Sequence, residues 1–156
     1  DPEMVAVVRD AGCPVILMHM LGRPKTMQDE PAYDDVIEEL YTFFLERVNW
    51  AVDSGLREEN LLVDPGIGFG KTTAHNLQIL RDLESFRSLG RPLVVGASRK
   101  RFLGELTGID VPQGRDVATA ATTALAVFGG AHIVRVHEID VNRQAVQVAQ
   151  AVVRQS

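Results

Sequence analysis

Leu61-Leu62-Val63-Asp64-Pro65-Gly66-Ile67-Gly68-Phe69-Gly70-Lys71 is the stretch on which the fold turns. Three aliphatic residues run into an aspartate, a proline and alternating glycines, the pattern of a buried strand opening into a tight loop. Leu77, Leu80, Leu83 and Phe86 follow at helical spacing and stop near Gly90, so strand and helix form one unit. The unit recurs on both sides. Upstream, Val15-Ile16-Leu17-Met18 is a compact apolar run between Pro14 and His19, read as a buried strand. Val36, Leu40, Phe44, Val48, Ala51 and Val52 then mark a helix over Asp34 to Ser54, closed by Gly55. Downstream, Leu93-Val94-Val95 meets Gly96, an alanine-rich helix spans Val117 to Phe128, and His132 to Val136 reads as a fourth strand. A last helix covers Val141 to Val153. At the beginning, Asp1-Pro2 has the form of a helix start with Asp1 as N-cap, and Gly12 stops that helix. Arg23 to Pro31, polar and broken by prolines, reads as a loop.

The order is a helix followed by four strand–helix units, which predicts an α/β fold with a parallel sheet wrapped by helices. Two architectures fit: an open doubly wound sheet, or part of a (β/α)8 barrel, which typically takes about 250 residues. The chain has 156 residues, 46% hydrophobic and 24% charged, and this balance excludes disorder, collagen and coiled coil. A formal charge of −5 argues against wholesale binding of nucleic acid or anionic membrane. No apolar run approaches the roughly 20 residues that span a bilayer. Cys13 is the single cysteine, which excludes a disulfide framework and suits a reduced, cytoplasmic setting. No basic stretch followed by an apolar segment opens the chain, and its start at Asp1, with the first methionine at Met4, suggests a chain trimmed from something longer.

In a parallel sheet the carboxyl ends of the strands share one edge, where α/β enzymes build their sites. Each predicted strand here ends in chemistry: Met18-His19-Met20, Asp64 to Lys71, Gly96-Ala97-Ser98-Arg99-Lys100, and Arg135-Val136-His137. The glycine loop is not a Walker A motif, because Pro65 stands where the first glycine belongs. Nor is it the dinucleotide fingerprint, because Lys71 replaces the third glycine. Arg99, Lys100 and Arg101 put three cations behind a strand, a local patch that attracts anions within an acidic chain. Arg135 and His137 alternate along one strand face and suit a phosphate, the one with a planar fork and the other with a tunable donor. His132 opens its strand and reads as structural, His75 as a cap or neighbour of the following helix. No set of His, Asp and Glu has metal-ligand spacing. Ser98 has no general-base partner legible in sequence, so no nucleophilic triad is read.

Taken together, Met18 to Gln28, Asp64 to Lys71, Gly96 to Lys100 and Arg135-Val136-His137 resemble dihydropteroate synthase, in order and spacing, over the whole chain. The resemblance implies a TIM barrel of folate biosynthesis, of which this chain holds strands five to eight with their helices and the helix before them. The resemblance also implies one pterin-binding domain over 1–156. The family condenses p-aminobenzoate with (7,8-dihydropterin-6-yl)methyl diphosphate and releases diphosphate. By resemblance, Asp64 would hydrogen-bond the pterin's amino-pyrimidine edge, and Lys100 its carbonyl and ring nitrogen. Met18 would pack on the pterin ring. Arg135 and His137 would hold the diphosphate, which makes Lys100, Arg135 and His137 the catalytic candidates. Ser98 would bind the p-aminobenzoate carboxylate beside Phe69 and the Lys100 stem, and Gly96, Arg99 and Val136 complete the substrate-binding set.

The resemblance also implies Mg2+, with its protein ligand in a first loop that this sequence lacks, and a homodimer through Val117 to Phe128 and Val141 to Val153. Glu138 stands where the family usually has aspartate. Half a barrel leaves open strand edges and uncovered apolar surface, which predicts self-association. Two alternatives stand beside this reading. One is a methyltransferase-like pterin-binding barrel, which lacks the paired anion motifs. The other is an inactive fragment.

Overall fold

The computed structural model describes residues 2–22 and 31–154. Asp1 and all of the expected Arg23–Pro31 loop except Pro31 lie outside the described residues, as does the Arg23-to-Gln28 part of the first motif. Helix α1 (Pro2–Ala11) leads into strand β1 (Val15–Met18), and α2 (Val36–Asp53) into β2 (Leu61–Asp64). After α3 (Thr73–Arg81) and a 3-10 segment over Leu83–Leu89 comes β3 (Val94–Val95). Helices α4 (Arg101–Thr107) and α5 (Asp116–Phe128), strand β4 (Ile133–Val134) and helix α6 (Ile139–Val153) complete the chain.

Local chemistry accounts for the boundaries. Asp35 caps α2, its Oδ1 accepting from the amides of Ile37 at 2.8 Å and Glu38 at 3.1 Å, which satisfies donors left open at a helix start. Thr72 and His75 form a reciprocal capping box at the start of α3, so His75 does cap, on a helix beginning at Thr73 rather than near Asn76. The third predicted helix is corrected. The single amphipathic helix through Phe86 is α3 followed by a separate 3-10 segment, because Asp82 leaves helical geometry and turns its carboxylate onto Arg81. The Arg99–Arg101 cations behind the third strand lead into a helix that the sequence reading does not mark: Phe102 and Leu103 are buried, and they anchor α4, whose seven residues carry too little periodicity to stand out.

Strand β1 pairs in parallel with β2 from Val15–Leu61 to Met18–Asp64, and β3 pairs in parallel with β4. A parallel bridge between Val63 and Leu93, with the Val63 amide donating to Pro92 O at 3.0 Å, links the two pairs. The neighbours therefore run β1, β2, β3, β4 in chain order. The core lies between β2 and β3 on one side and α2 through α5 on the other, with Leu40, Phe44, Ile79, Leu83 and Phe86 fully buried. A smaller cluster of Val8, Ala51, Leu56 and Leu61 seats α1 on α2. Strand β1 is not a buried strand as expected: Ile16 is 49% and Met18 37% exposed. It pairs with β2 alone among the described residues, so half of its side chains meet solvent.

Candidate active site

Asp64 ends β2 and turns back on its own loop, its Oδ1 accepting from the Gly66 amide at 2.8 Å. Burial pushes the Asp64 carboxyl up, while that amide and the charges of Lys100, Arg135 and Lys71 pull it down. The charges of Lys100, Arg135 and Lys71 thus act on one carboxylate, although the three residues come from three different strand ends. The Lys100 ammonium lies 4.3 Å from the centre of the Phe69 ring and donates to the Ile67 carbonyl. Burial brings Lys100 down to about 8, with Asp64 resisting and Arg135 assisting.

The glycines of the loop are spaced for contact. A Cβ on Gly66 would lie 1.9 Å from His19 O, and one on Gly68 would lie 2.8 Å from Lys100 Cδ. Gly66 and Gly68 also hold φ of +65° and +81°, which side chains resist. Gly96 gives Arg135 the same room, since a Cβ there would stand 3.3 Å from Nη2. Phe69, Lys71, Thr73, Lys100 and Arg101 line a cavity of about 240 Å³ beside this cluster.

Ser98 and His137 meet across β3 and β4. Ser98 Oγ is 2.8 Å from His137 Nδ1 and accepts from the His137 amide at 3.2 Å. The pairing joins residues 39 apart in sequence, which is why no partner for Ser98 was legible. Val136 lies half-buried between Arg135 and His137. Arg99 is engaged elsewhere: its guanidinium takes both oxygens of Asp116, at 2.8 and 2.9 Å. Met18 pairs in register with Asp64 at the open edge. His132 accepts from the Leu93 amide at 3.1 Å and tethers the start of β4 to β3.

Two buried cations were missed. Lys71 is 2% exposed, with Nζ at 3.0 Å from His19 Nδ1 and 3.1 Å from Phe69 O. It ties the end of β1 to the β2 loop. Burial, aided by Lys100, lowers Lys71 to about 7, and burial with the Lys71 charge lowers His19 to about 4. The signal in the sequence is a lone lysine closing a glycine loop, which reads there only as a broken motif. Arg115 lies buried before α5, and no local pattern pointed to it. Among the described residues no three His, Cys, Asp or Glu side chains group as a metal site would. Among the same residues no helix is long and apolar enough to cross a membrane.

The chain is similar to known proteins over almost its whole length. The chain is 43% identical over 154 residues to dihydropteroate synthase of Synechocystis sp., covering 99% of this chain and 53% of that one. It is 40% identical over 151 residues to dihydropteroate synthase of Escherichia coli K12, covering 97% and 53%. Among solved structures, Yersinia pestis dihydropteroate synthase in a sulfonamide drug complex superposes with a TM-score of 0.97 at 37% identity, covering 100% of this chain and 57% of that one. Xanthomonas albilineans dihydropteroate synthase in complex with 7,8-dihydropteroate gives 0.89 at 41%, covering 97% and 55%. The chain spans about half the length of the relatives it matches. The family model described as pterin binding enzyme matches residues 1–137, and with the site above this places the chain in the pterin binding enzyme family.

Proposed function

We propose that this chain provides the carboxyl-terminal half-site of a dihydropteroate synthase, which joins p-aminobenzoate to (7,8-dihydropterin-6-yl)methyl diphosphate and yields 7,8-dihydropteroate and diphosphate. The observation that carries the reading is that Asp64, Lys100 and Arg135 stand at neighbouring ends of parallel strands, with Gly68 and Gly96 leaving room for the two cations and their charges acting on the Asp64 carboxyl. The chain-order run of parallel strands supports placing residues 1–156 as strands five to eight of a TIM barrel, within one pterin-binding domain.

On this reading the two Asp64 oxygens accept from adjacent N–H donors of the pterin edge, and Lys100 donates to its carbonyl. Met18 covers the ring face with a polarizable thioether. Arg135 and His137 receive the diphosphate, with Gly96 leaving room for the guanidinium. Ser98 and Val136 frame that corner and Ser98 takes the p-aminobenzoate carboxylate, while Phe69 and the Lys100 stem line the aryl pocket. Arg99 contributes through its ion pair with Asp116, beside the same corner. Cationic donors stabilise charge as the C–O bond breaks and diphosphate departs with the electron pair. The arylamine nitrogen then bonds to the methylene carbon and releases a proton to solvent. No prior base is required.

Mg2+ would accompany the diphosphate in the family's reaction. The described residues offer no cluster to hold it, and none of these steps runs through it. The setting on this reading is cytoplasmic. The assembly is a homodimer through α5 and α6, whose outer stripe carries Val117, Leu125, Phe128 and Val148 exposed.

The test is calorimetric titration of the pterin diphosphate into the chain, followed by p-aminobenzoate-dependent diphosphate release. Lys100→Ala should weaken pterin binding by about tenfold or more, the weight of a charge-assisted hydrogen bond. Arg135→Ala should weaken the diphosphate ester more than the free pterin alcohol. Equal affinity of wild type and both variants would sink the role assignments, and binding without turnover would mark the chain as a fragment that recognises pterin.

A further inference from the structure

The turn between β3 and α4 carries a strain that the proposed chemistry does not explain. Arg99 holds φ of +57°, the left-handed region that side chains resist. Such a conformation persists only where its surroundings over-determine it. Here both sides of the Arg99 residue are held. Its amide donates to Thr119 Oγ1 at 3.1 Å, and its carbonyl accepts from Arg115 Nη1 at 3.0 Å.

Arg115 does more than close that one bond. Nη1 also reaches Lys100 O at 3.3 Å, Nε donates to Ile109 O at 2.8 Å, and Nη2 donates to Asp110 O at 2.6 Å. The side chain is buried, and among the described residues no carboxylate lies within ion-pair distance of it. A buried cation is costly without compensation. Four main-chain carbonyls meet this one, two of them from the turn that aims Lys100. Gly104 completes the seat: a Cβ there would lie 2.6 Å from Nη2, so α4 carries a glycine where the guanidinium rests.

We propose that Arg115 is a positioning residue for the pterin site, its guanidinium holding the Arg99–Lys100 backbone so that the Lys100 ammonium keeps its place over the Phe69 ring and on the Ile67 carbonyl. The step from Lys100 to pterin rests on the proposed function; the step from Arg115 to Lys100 does not. Arg99 then serves as the bent link whose strain the Arg115 and Thr119 contacts absorb. A lysine at 115 can supply charge but not a planar fork reaching four separate carbonyls.

The chain has three lysines, Lys25, Lys71 and Lys100, so their side-chain resonances separate in a 13C-lysine spectrum, with Lys100→Arg giving the assignment. The groups that act on Lys100 are Asp64 at the end of β2, Arg135 just beyond β4, Lys71 from the β2 loop, and the Phe69 ring and Ile67 carbonyl it touches. In wild type Lys100 titrates near 8. In Arg115→Lys its midpoint should move toward the ordinary lysine value of about 10.4 as the ammonium leaves its buried place. Gly104→Ala, which pushes the guanidinium away from the opposite side, should move it the same way and serves if Arg115→Lys does not fold. Pterin diphosphate affinity of the folded fraction should fall by about tenfold in parallel. A shifted midpoint with no pterin binding in any form would defeat the proposed function and leave the positioning role standing. An unmoved Lys100 midpoint in a folded variant, with only thermal stability reduced, overturns the proposal.

Discussion

Lys71→Met isolates the cost of a buried cation. The folded chain gives up the Lys71 proton near 7, whereas the unfolded chain keeps it to 10.5. Between those values the unfolded state binds the extra proton, so raising the pH stabilises the fold. Each unit over which the two states differ by a full proton is worth about 1.4 kcal/mol. Lys71 is half-protonated at pH 7 in the fold, and integrating from there to pH 9 gives a gain of about 2 kcal/mol. His19, held near 4, stays neutral throughout this window, and Lys100 titrates in both proteins. The difference between wild type and variant therefore reports Lys71.

Methionine fills much of the same volume but leaves His19 Nδ1 and Phe69 O without their donor, a cost of about 1–3 kcal/mol for each group left unsatisfied. That offset does not change with pH in this range. Urea unfolding at pH 7, 8 and 9 should show wild type gaining about 2 kcal/mol on Lys71→Met from the first to the last. Parallel stabilities, with a difference independent of pH, would refute the claim that Lys71 is buried as a titrating cation.

Two further changes probe other parts of the structure. Gly66→Ala forces a methyl toward His19 O from a left-handed backbone and should cost ~3 kcal/mol in urea unfolding; a loss under ~1 kcal/mol would show that the β2 loop can retreat from β1. Thr123→Val removes the 2.6 Å hydrogen bond to Asn142 that pins α5 to α6 and should cost about 1–3 kcal/mol, partly recovered in Thr123→Val/Asn142→Leu; strictly additive effects would show that the buried pair is uncoupled.

How much was legible differs from element to element. The motifs that hold Asp64, Lys100 and Arg135 are legible because each closes a strand and parallel strands share one edge, while the family resemblance singles out the three residues within them. The Ser98–His137 contact is not legible, because it depends on the register of β3 against β4. Likewise the brevity of α4 hides it in the sequence, and the apolar run of β1 reads as buried although its outer edge meets solvent.

Periodicity and turn chemistry in the sequence by themselves determined the alternation of strands and helices, and hence a shared edge for the four motifs. Apolar spacing is a local property, written every two or between three and four residues. Only the tertiary structure decided which charges meet. It set Lys71 against His19, spent Arg99 on Asp116, and buried Arg115 among four carbonyls. A long cationic side chain can reach several partners, and which one it takes depends on the burial and backbone donors and acceptors that distant segments bring to it.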